Sequence, residues 1–363
     1  MIEQYYKDFK VRDYMDDNSL KEQVTGNLID CSLGTNAFID ESIIKKYILN
    51  SNYEINKYPL MEYELLKKEL LRYWGKYMDS NLRECNIAFG AGVMGILRNI
   101  SEFLITNKTK ILGCAPQFPR FISEVELKKG KYEYYNFGKE ENFKFNVENF
   151  VKCISNEYDV IHLENPNNPT GQIIDIIDIK KIVEKAKEYN IIVILDEAYG
   201  DYMKPNNSGI TLVDEFDNLV VLRSASKYYG LPNHRLGYIF ANENFVKVYN
   251  EISIPFPFSD LSANVFRNIL KNQNEIDYTK EKVKEINKKI YEAIGNINYL
   301  YTDISTPIFT MKSYKYNNLS VELRKKGIIA ENCSAFLGLD SSFARLRVPK
   351  EWNELLKVIK TLI

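Results

Sequence analysis

Leu163-Glu164-Asn165-Pro166-Asn167-Asn168-Pro169-Thr170-Gly171 is the stretch on which the fold turns. Residues 159–163 before it are apolar enough for a buried strand, and two prolines and a glycine then end any regular structure. The segment reads as a loop at a strand's end, where open α/β sheets place ligands. Asn, Pro and Gly also build ordinary turns, so this loop alone leaves a plain turn and a ligand loop both open.

Working outward, short apolar runs recur at 86–89, 110–114, 132–137, 159–163, 191–196, 219–223 and 238–241. Several are β-branched and continuous, as strands covered on both faces are. Helical spacing fills the gaps: Val93, Ile96, Leu97, Ile100 and Leu104 share one face, as do Ile179, Ile182, Val183 and Ala186. Strand–helix alternation predicts an α/β layer with a mostly parallel seven-stranded sheet between helices. Past residue 250 the texture changes. Pro255 and Pro257 break the chain, and Val283, Ile286, Ile290 and Ile294 mark a long amphipathic helix. Strands at 308–311, 328–330 and 344–348 and helices over 319–326 and from Glu351 predict a smaller α+β domain. The expected division is 1–40 as an N-terminal arm and part of the small domain, 41–254 as the large domain, and 255–363 as the small one.

Composition narrows the function. The 363 residues carry 48 Lys+Arg against 49 Asp+Glu, a net charge of −1, so nothing favours nucleic acid or an anionic membrane as a partner. Hydrophobic residues make up 45%, a globular share that excludes disordered and fibrous classes. The longest apolar run, 191–195, is far short of a membrane span, and residues 1–17 are too charged for a secretory signal. A cytoplasmic protein is expected. Cys31, Cys85, Cys114, Cys153 and Cys333 are dispersed, without a CxxC pair, and read as reduced thiols. His162 and His234 form no motif, so neither a metal site nor an imidazole-based triad is expected.

Three further strand ends carry chemistry. The run 191–195 enters Asp196-Glu197-Ala198-Tyr199, and a carboxylate at the end of a buried strand needs a cationic partner or a helix to cap. A protonated heterocyclic nitrogen would serve, with the Tyr199 phenol three residues on. The run 219–222 enters Arg223-Ser224-Ala225-Ser226-Lys227, with Arg235 eight residues later. A lysine held at a sheet's end among other cations can be freed as a nucleophile. Phe89-Gly90-Ala91-Gly92-Val93-Met94-Gly95 joins a strand to a helix and suits a phosphate at a helix N-terminus. It lacks the spacing of a dinucleotide fingerprint and does not end in Gly-Lys-Ser/Thr.

Together these motifs resemble the fold-type I pyridoxal-phosphate enzymes of aminotransferase class I/II, particularly the histidinol-phosphate aminotransferases and threonine-phosphate decarboxylases. The resemblance runs from Leu33-Gly34-Thr35-Asn36 to Arg347. It implies pyridoxal 5'-phosphate as cofactor, and transfer of an amino group between an amino acid and a 2-oxo acid. A decarboxylase or an oxidative enzyme on the same fold is the alternative. By the same resemblance, Lys227 forms the imine with the cofactor aldehyde and later moves the substrate proton. Asp196 binds the pyridine N–H, while Tyr199 and Asn168 bond the ring oxygen. Phe118, in Ala115-Pro116-Gln117-Phe118, stacks on the ring. The phosphate is held by the amides of Ala91 and Gly92 with Ser224, Ser226 and Arg235. Tyr58, in Lys57-Tyr58-Pro59, matches a tyrosine that reaches the phosphate of a neighbouring subunit, which implies a homodimer. Asn36 is assigned to the substrate, as is Arg347, the expected clamp on its α-carboxylate, with Arg345 the rival. One departure stands out. Phosphate-substrate relatives carry Arg-Asp after a Gly-Ile-Leu-like run, whereas here Gly327-Ile328-Ile329-Ala330 leads into Glu331-Asn332-Cys333-Ser334. Glu331 at that place would repel a phosphate and suit a cation or a hydroxyl.

Overall fold

The computed structural model describes residues 4–12, 28–51, 53–59, 63–295 and 299–362. Of the arm expected over 1–40, residues 1–3 and 13–27 lie outside the described residues. The chain forms a two-residue strand, β1 (Ile29–Asp30), and then seven longer strands. These are β2 (Ile87–Ala91), β3 (Lys110–Ala115), β4 (Lys131–Asn136), β5 (Val160–Glu164), β6 (Ile192–Glu197), β7 (Leu219–Ser224) and β8 (Leu236–Phe240). All seven lie in one sheet, in the order β2-β8-β7-β6-β5-β3-β4. Only β8 runs against its neighbours. Each strand coincides, to within a residue or two, with an apolar run read from the sequence.

Alternation along the strands gives the sheet two faces. Ile194, Val220, Leu222 and Ile239 meet apolar residues of the helices Gly92–Leu104, Pro119–Leu127 and Glu243–Ile252. Val193, Leu195, Val221, Tyr238 and Phe240 face the other layer, with the helices Glu64–Trp74, Ile176–Lys187 and Asp260–Lys271. The predicted stripe of Val93, Ile96, Leu97 and Ile100 is buried, and so is that of Ile179, Ile182, Val183 and Ala186.

Two features differ from the sequence reading. The helix Asp260–Lys271 belongs with the large sheet, because Phe266 packs edge-on against Tyr229 and tilted against Tyr238. A division at residue 255 therefore cuts through one core, which continuous apolar spacing alone could not reveal. The strand expected over 328–330 is two strands that change partner at Ala330. β9 (Ile308–Lys312) is followed by β10 (Ile328–Ile329), which pairs in parallel with β1. β11 (Glu331–Asn332) then pairs antiparallel with β12 (Phe343–Arg347), which also pairs with β9. In that ladder Glu331 stands directly opposite Arg345, so both side chains leave the same face.

Behind the sheet edge, Arg223 is buried against two carboxylates. Its Nη1 donates to Glu197 (2.8 Å) and its Nη2 to Asp201 (2.5 Å). Glu197 also accepts from the Ser208 hydroxyl and the Gly209 amide, and Asp201 from Tyr229. Removing one partner from a buried ion network is strongly destabilising, because it leaves a charge unpaired away from water. Here the network holds the loop that follows Asp196 against β7.

Candidate active site

The parallel strands β2, β3, β5, β6 and β7 end on one edge, and β8 begins there. A cavity of about 630 Å³ opens at that edge. Its wall includes Phe118 after β3, Asn168 after β5, Asp196 and Tyr199 after β6, and Ser224, Ser226 and Lys227 at the end of β7. Arg235, just before β8, completes it from the opposite strand direction, and Glu331 closes the small-domain side. Nine side chains nominated from sequence motifs scattered over more than 200 residues are thus neighbours.

Asp196 is 6% exposed and its Oδ1 accepts the Ala198 amide at 2.9 Å. Burial pushes its pKa up to about 7, against the pull of that hydrogen bond and of Lys227. Lys227 is half-buried and donates to the Leu33 carbonyl at 3.4 Å, with its Nζ 5.2 Å from the centre of the Tyr199 ring. The Tyr199 hydroxyl is buried without a hydrogen-bond partner among the described residues. A buried carboxylate seeking a cation and a buried phenol seeking a polar partner, both beside a lysine, fit the nitrogen and oxygen of a pyridoxal ring.

The phosphate end fits as well. The 13-residue helix Gly92–Leu104 begins beside Arg235 and presents Val93 and Met94 to the cavity. Gly92 has φ +69°, a backbone conformation that favours glycine, and it lies beside the Arg235 guanidinium. Ser224 Oγ accepts the Ser226 amide at 3.0 Å, which folds the Ser-Ala-Ser turn toward the same end. A helix N-terminus, two hydroxyls and a guanidinium form an anion cradle.

Two nominations, Arg347 and Asn36, need correction. Arg347 is not in the cavity wall: its guanidinium donates to the carbonyls of Thr35 (3.3 Å) and Asp30. Arg345, two residues earlier, is 2% exposed and lines the cavity. Its Nη1 donates to Asn168 Oδ1 at 3.1 Å, and it pairs with Glu331 and donates to the Ser32 carbonyl. The two arginines share one strand face, and it is Arg345 that meets the β5 loop. Asn36 is outside the wall too. Its amide donates to the Tyr228 carbonyl (2.8 Å) and the Thr279 hydroxyl (2.9 Å), and its backbone N–H to the Lys227 carbonyl. Its hydrogen bonds brace the segment bearing Lys227. Tyr58 lies away from its own chain's cavity, 83% exposed, stacked on Phe256 with ring centres 5.2 Å apart.

Glu164 was read only as part of the loop. It is 5% exposed, lines the cavity, and accepts the amides of Phe118 and Asn168, each at 3.0 Å. It therefore ties the Phe118 segment to the Asn168 loop. Burial and the neighbouring Asp196 raise its pKa. The argument made for Asp196, a carboxylate ending an apolar strand, applies equally to Glu164 and would have found it. His162 lies buried behind the cavity wall. It offers a ring nitrogen within 4.8 Å of the Glu164 and Asp196 oxygens, and burial lowers its pKa to about 3, leaving a neutral ring.

The model of the family described as aminotransferase class I and II matches residues 29–359. The chain belongs to that family. The histidinol-phosphate aminotransferase of Methanocaldococcus jannaschii is 28% identical over 337 residues, covering 88% of this chain and 85% of that one. Among solved structures, the histidinol-phosphate aminotransferase of Clostridium acetobutylicum superposes with a TM-score of 0.81 at 23% identity, over 92% of this chain and 98% of that one. The histidinol-phosphate aminotransferase of Sinorhizobium meliloti, solved in complex with pyridoxal-5'-phosphate, gives 0.80 at 17% identity, over 97% and 96%. These structural likenesses carry the fold. The enzyme is an aminotransferase, and pyridoxal phosphate is its cofactor. No helix among the described residues is long and apolar enough to cross a membrane.

The raised pKa of Asp196 makes a prediction for the cofactor-free protein. A carboxyl whose pKa is higher folded than unfolded contributes stability below its unfolded value near 3.8, and loses it as pH climbs through about 7. Melting temperature measured from pH 4 to 8 should fall more in the wild type than in Asp196→Asn. Parallel curves would show that Asp196 titrates normally.

Proposed function

We propose that this enzyme exchanges amino groups between an amino acid and a 2-oxo acid, with Lys227 as its catalytic base and Arg345, not Arg347, as the holder of the α-carboxylate. The observation that carries this reading is the convergence of Lys227, Asp196, Tyr199 and Arg345 on one cavity. Bound pyridoxal phosphate supplies an aldehyde for the amine and a protonated ring that draws electron density from the substrate's Cα. The chain's own groups do the rest. Lys227 would be the attachment point for the cofactor aldehyde and, as a free amine, the base that takes and returns the substrate's Cα proton. Asp196 would keep the proton on the ring nitrogen. Tyr199 and Asn168 would bond the ring oxygen, and Phe118 would pack on the ring. Ser224, Ser226, Arg235 and the amides of Ala91 and Gly92 would hold the phosphate.

Arg345 suits a carboxylate for two reasons. Its planar fork can offer two parallel donors, and Asn168, on which one of its nitrogens already rests, fixes the plane of that fork. It would thereby set which Cα bond stands across the ring, and so which one breaks.

A homodimer completes the reading. Leu49, Ile55, Tyr58 and Ile254 are each more than 70% exposed, and the Tyr58–Phe256 stack joins the two segments that bear them. Such an apolar belt on a soluble enzyme calls for a cover, and a second copy would carry Tyr58 toward its neighbour's phosphate. Light scattering should return twice the chain mass, and a monomer with full activity would remove this role for Tyr58.

The activity is tested with the purified enzyme, amino-acid donors and 2-oxoglutarate. The wild type should absorb in the visible, exchange amino groups, and lose both properties on borohydride reduction. Lys227→Ala should hold the cofactor without the reducible bond; release of carbon dioxide or peroxide without keto-acid exchange would contradict transamination. Arg345→Lys should raise the donor KM by about 10- to 100-fold, on the strength of a charge-assisted bidentate pair. Arg347→Lys should change it by less than about threefold. The reverse order would restore Arg347.

A further inference from the structure

The small-domain wall of the cavity holds a charge pair that faces an incoming substrate. Glu331 is 2% exposed, lines the cavity, and lies opposite Arg345 in the β11–β12 ladder, where the two form an ion pair. Lys227 is the other cation acting on Glu331, and burial nonetheless raises its pKa to about 7. The remaining charged groups of that wall are Arg324 and Asp30, the latter already accepting the amide and hydroxyl of Ser32. An amino acid bound as proposed above brings a second carboxylate to Arg345. Two anions would then divide one buried guanidinium, and a buried charge deprived of its partner is strongly disfavoured.

We propose that the amino donor carries a positive charge on its side chain and that Glu331 receives it, so that basic amino acids are the preferred substrate class. This rests on the reading of the site given above. The ligand's own cation restores the balance that its carboxylate disturbs: Arg345 turns to the α-carboxylate while Glu331 turns to the side-chain ammonium or guanidinium. A phosphate or a second carboxylate would instead add a further anion beside Glu331. Arg324 supplies the opposing pull, since a guanidinium in the same wall would suit an acidic side chain, and acidic donors are accordingly the competing outcome.

The test uses the cofactor-loaded enzyme and ligand pairs that differ only in the terminal amine: lysine against norleucine, and ornithine against norvaline, with 2-aminoadipate as the acidic member. Dissociation constants are read by calorimetry and from the change in visible absorbance, for the wild type and for Glu331→Gln. The wild type should bind the basic member of each pair about 10- to 100-fold tighter, as one charge-assisted hydrogen bond provides. Glu331→Gln should bring each pair within about threefold. Norleucine or 2-aminoadipate binding as tightly as lysine would overturn the proposal. So would a variant that weakens both members equally and keeps their ratio, since that is what a purely structural ion pair would do. If the variant does not fold, the wild-type comparison alone decides. If no amino acid perturbs the spectrum while borohydride still fixes the cofactor to Lys227, the amino-acid reading itself falls, and this inference with it.

Discussion

A carboxylate buried at the end of an apolar strand needs a positive charge, and at Asp196 the protein supplies only part of one. Its Oδ1 has the Ala198 amide, and Lys227 pulls on it from across the cavity, yet burial still leaves its pKa near 7. Most of the site can be understood as what surrounds that unmet demand. Parallel strands deliver their C-terminal ends to one edge, so Asp196, Lys227 and the β5 loop arrive together. The Arg223 network behind the edge fixes the loop after Asp196, and Asn36 fixes the segment around Lys227. A protonated ring nitrogen is the partner that this arrangement accommodates.

The small domain adds a second electrostatic theme. β1, β10, β11 and β12 bring Ser32, Glu331 and Arg345 over the mouth of the large sheet, and Asn168 connects Arg345 to the loop beside the ring. The strand bearing Arg345 and the β5 loop are therefore joined through one side-chain amide. Glu164 is joined to the same centre, because it accepts the backbone amides of Asn168 and Phe118. A shift of the β5 loop would disturb Phe118, Asn168 and Arg345 together.

The large sheet was legible because its strands are buried on both faces and read as continuous apolar runs, as at 191–195 and 219–222. The cofactor side was legible for a related reason: a polar residue that ends such a run stands out, as Asp196 and Lys227 do. Glu164 obeyed the same rule but was hidden inside a loop whose prolines and asparagines explained it as a turn. The substrate side was not legible, because its geometry depends on pairing between distant strands. Nothing in Phe343-Ala344-Arg345-Leu346-Arg347 says which arginine meets Asn168, and nothing in Ala330-Glu331 says that the chain changes sheets there. The docking of Phe266 on Tyr229 and Tyr238, across residue 255, is likewise a long-range fact.

The role proposed for Asp196, holding a proton on the cofactor's ring nitrogen, is read most directly from the nitrogen-15 resonance of ring-labelled pyridoxal phosphate bound to the wild type and to Asp196→Asn, above neutral pH. The wild type should give a pyridinium signal that moves to the neutral-pyridine position in the variant. A neutral ring nitrogen in the wild-type enzyme would rule that role out.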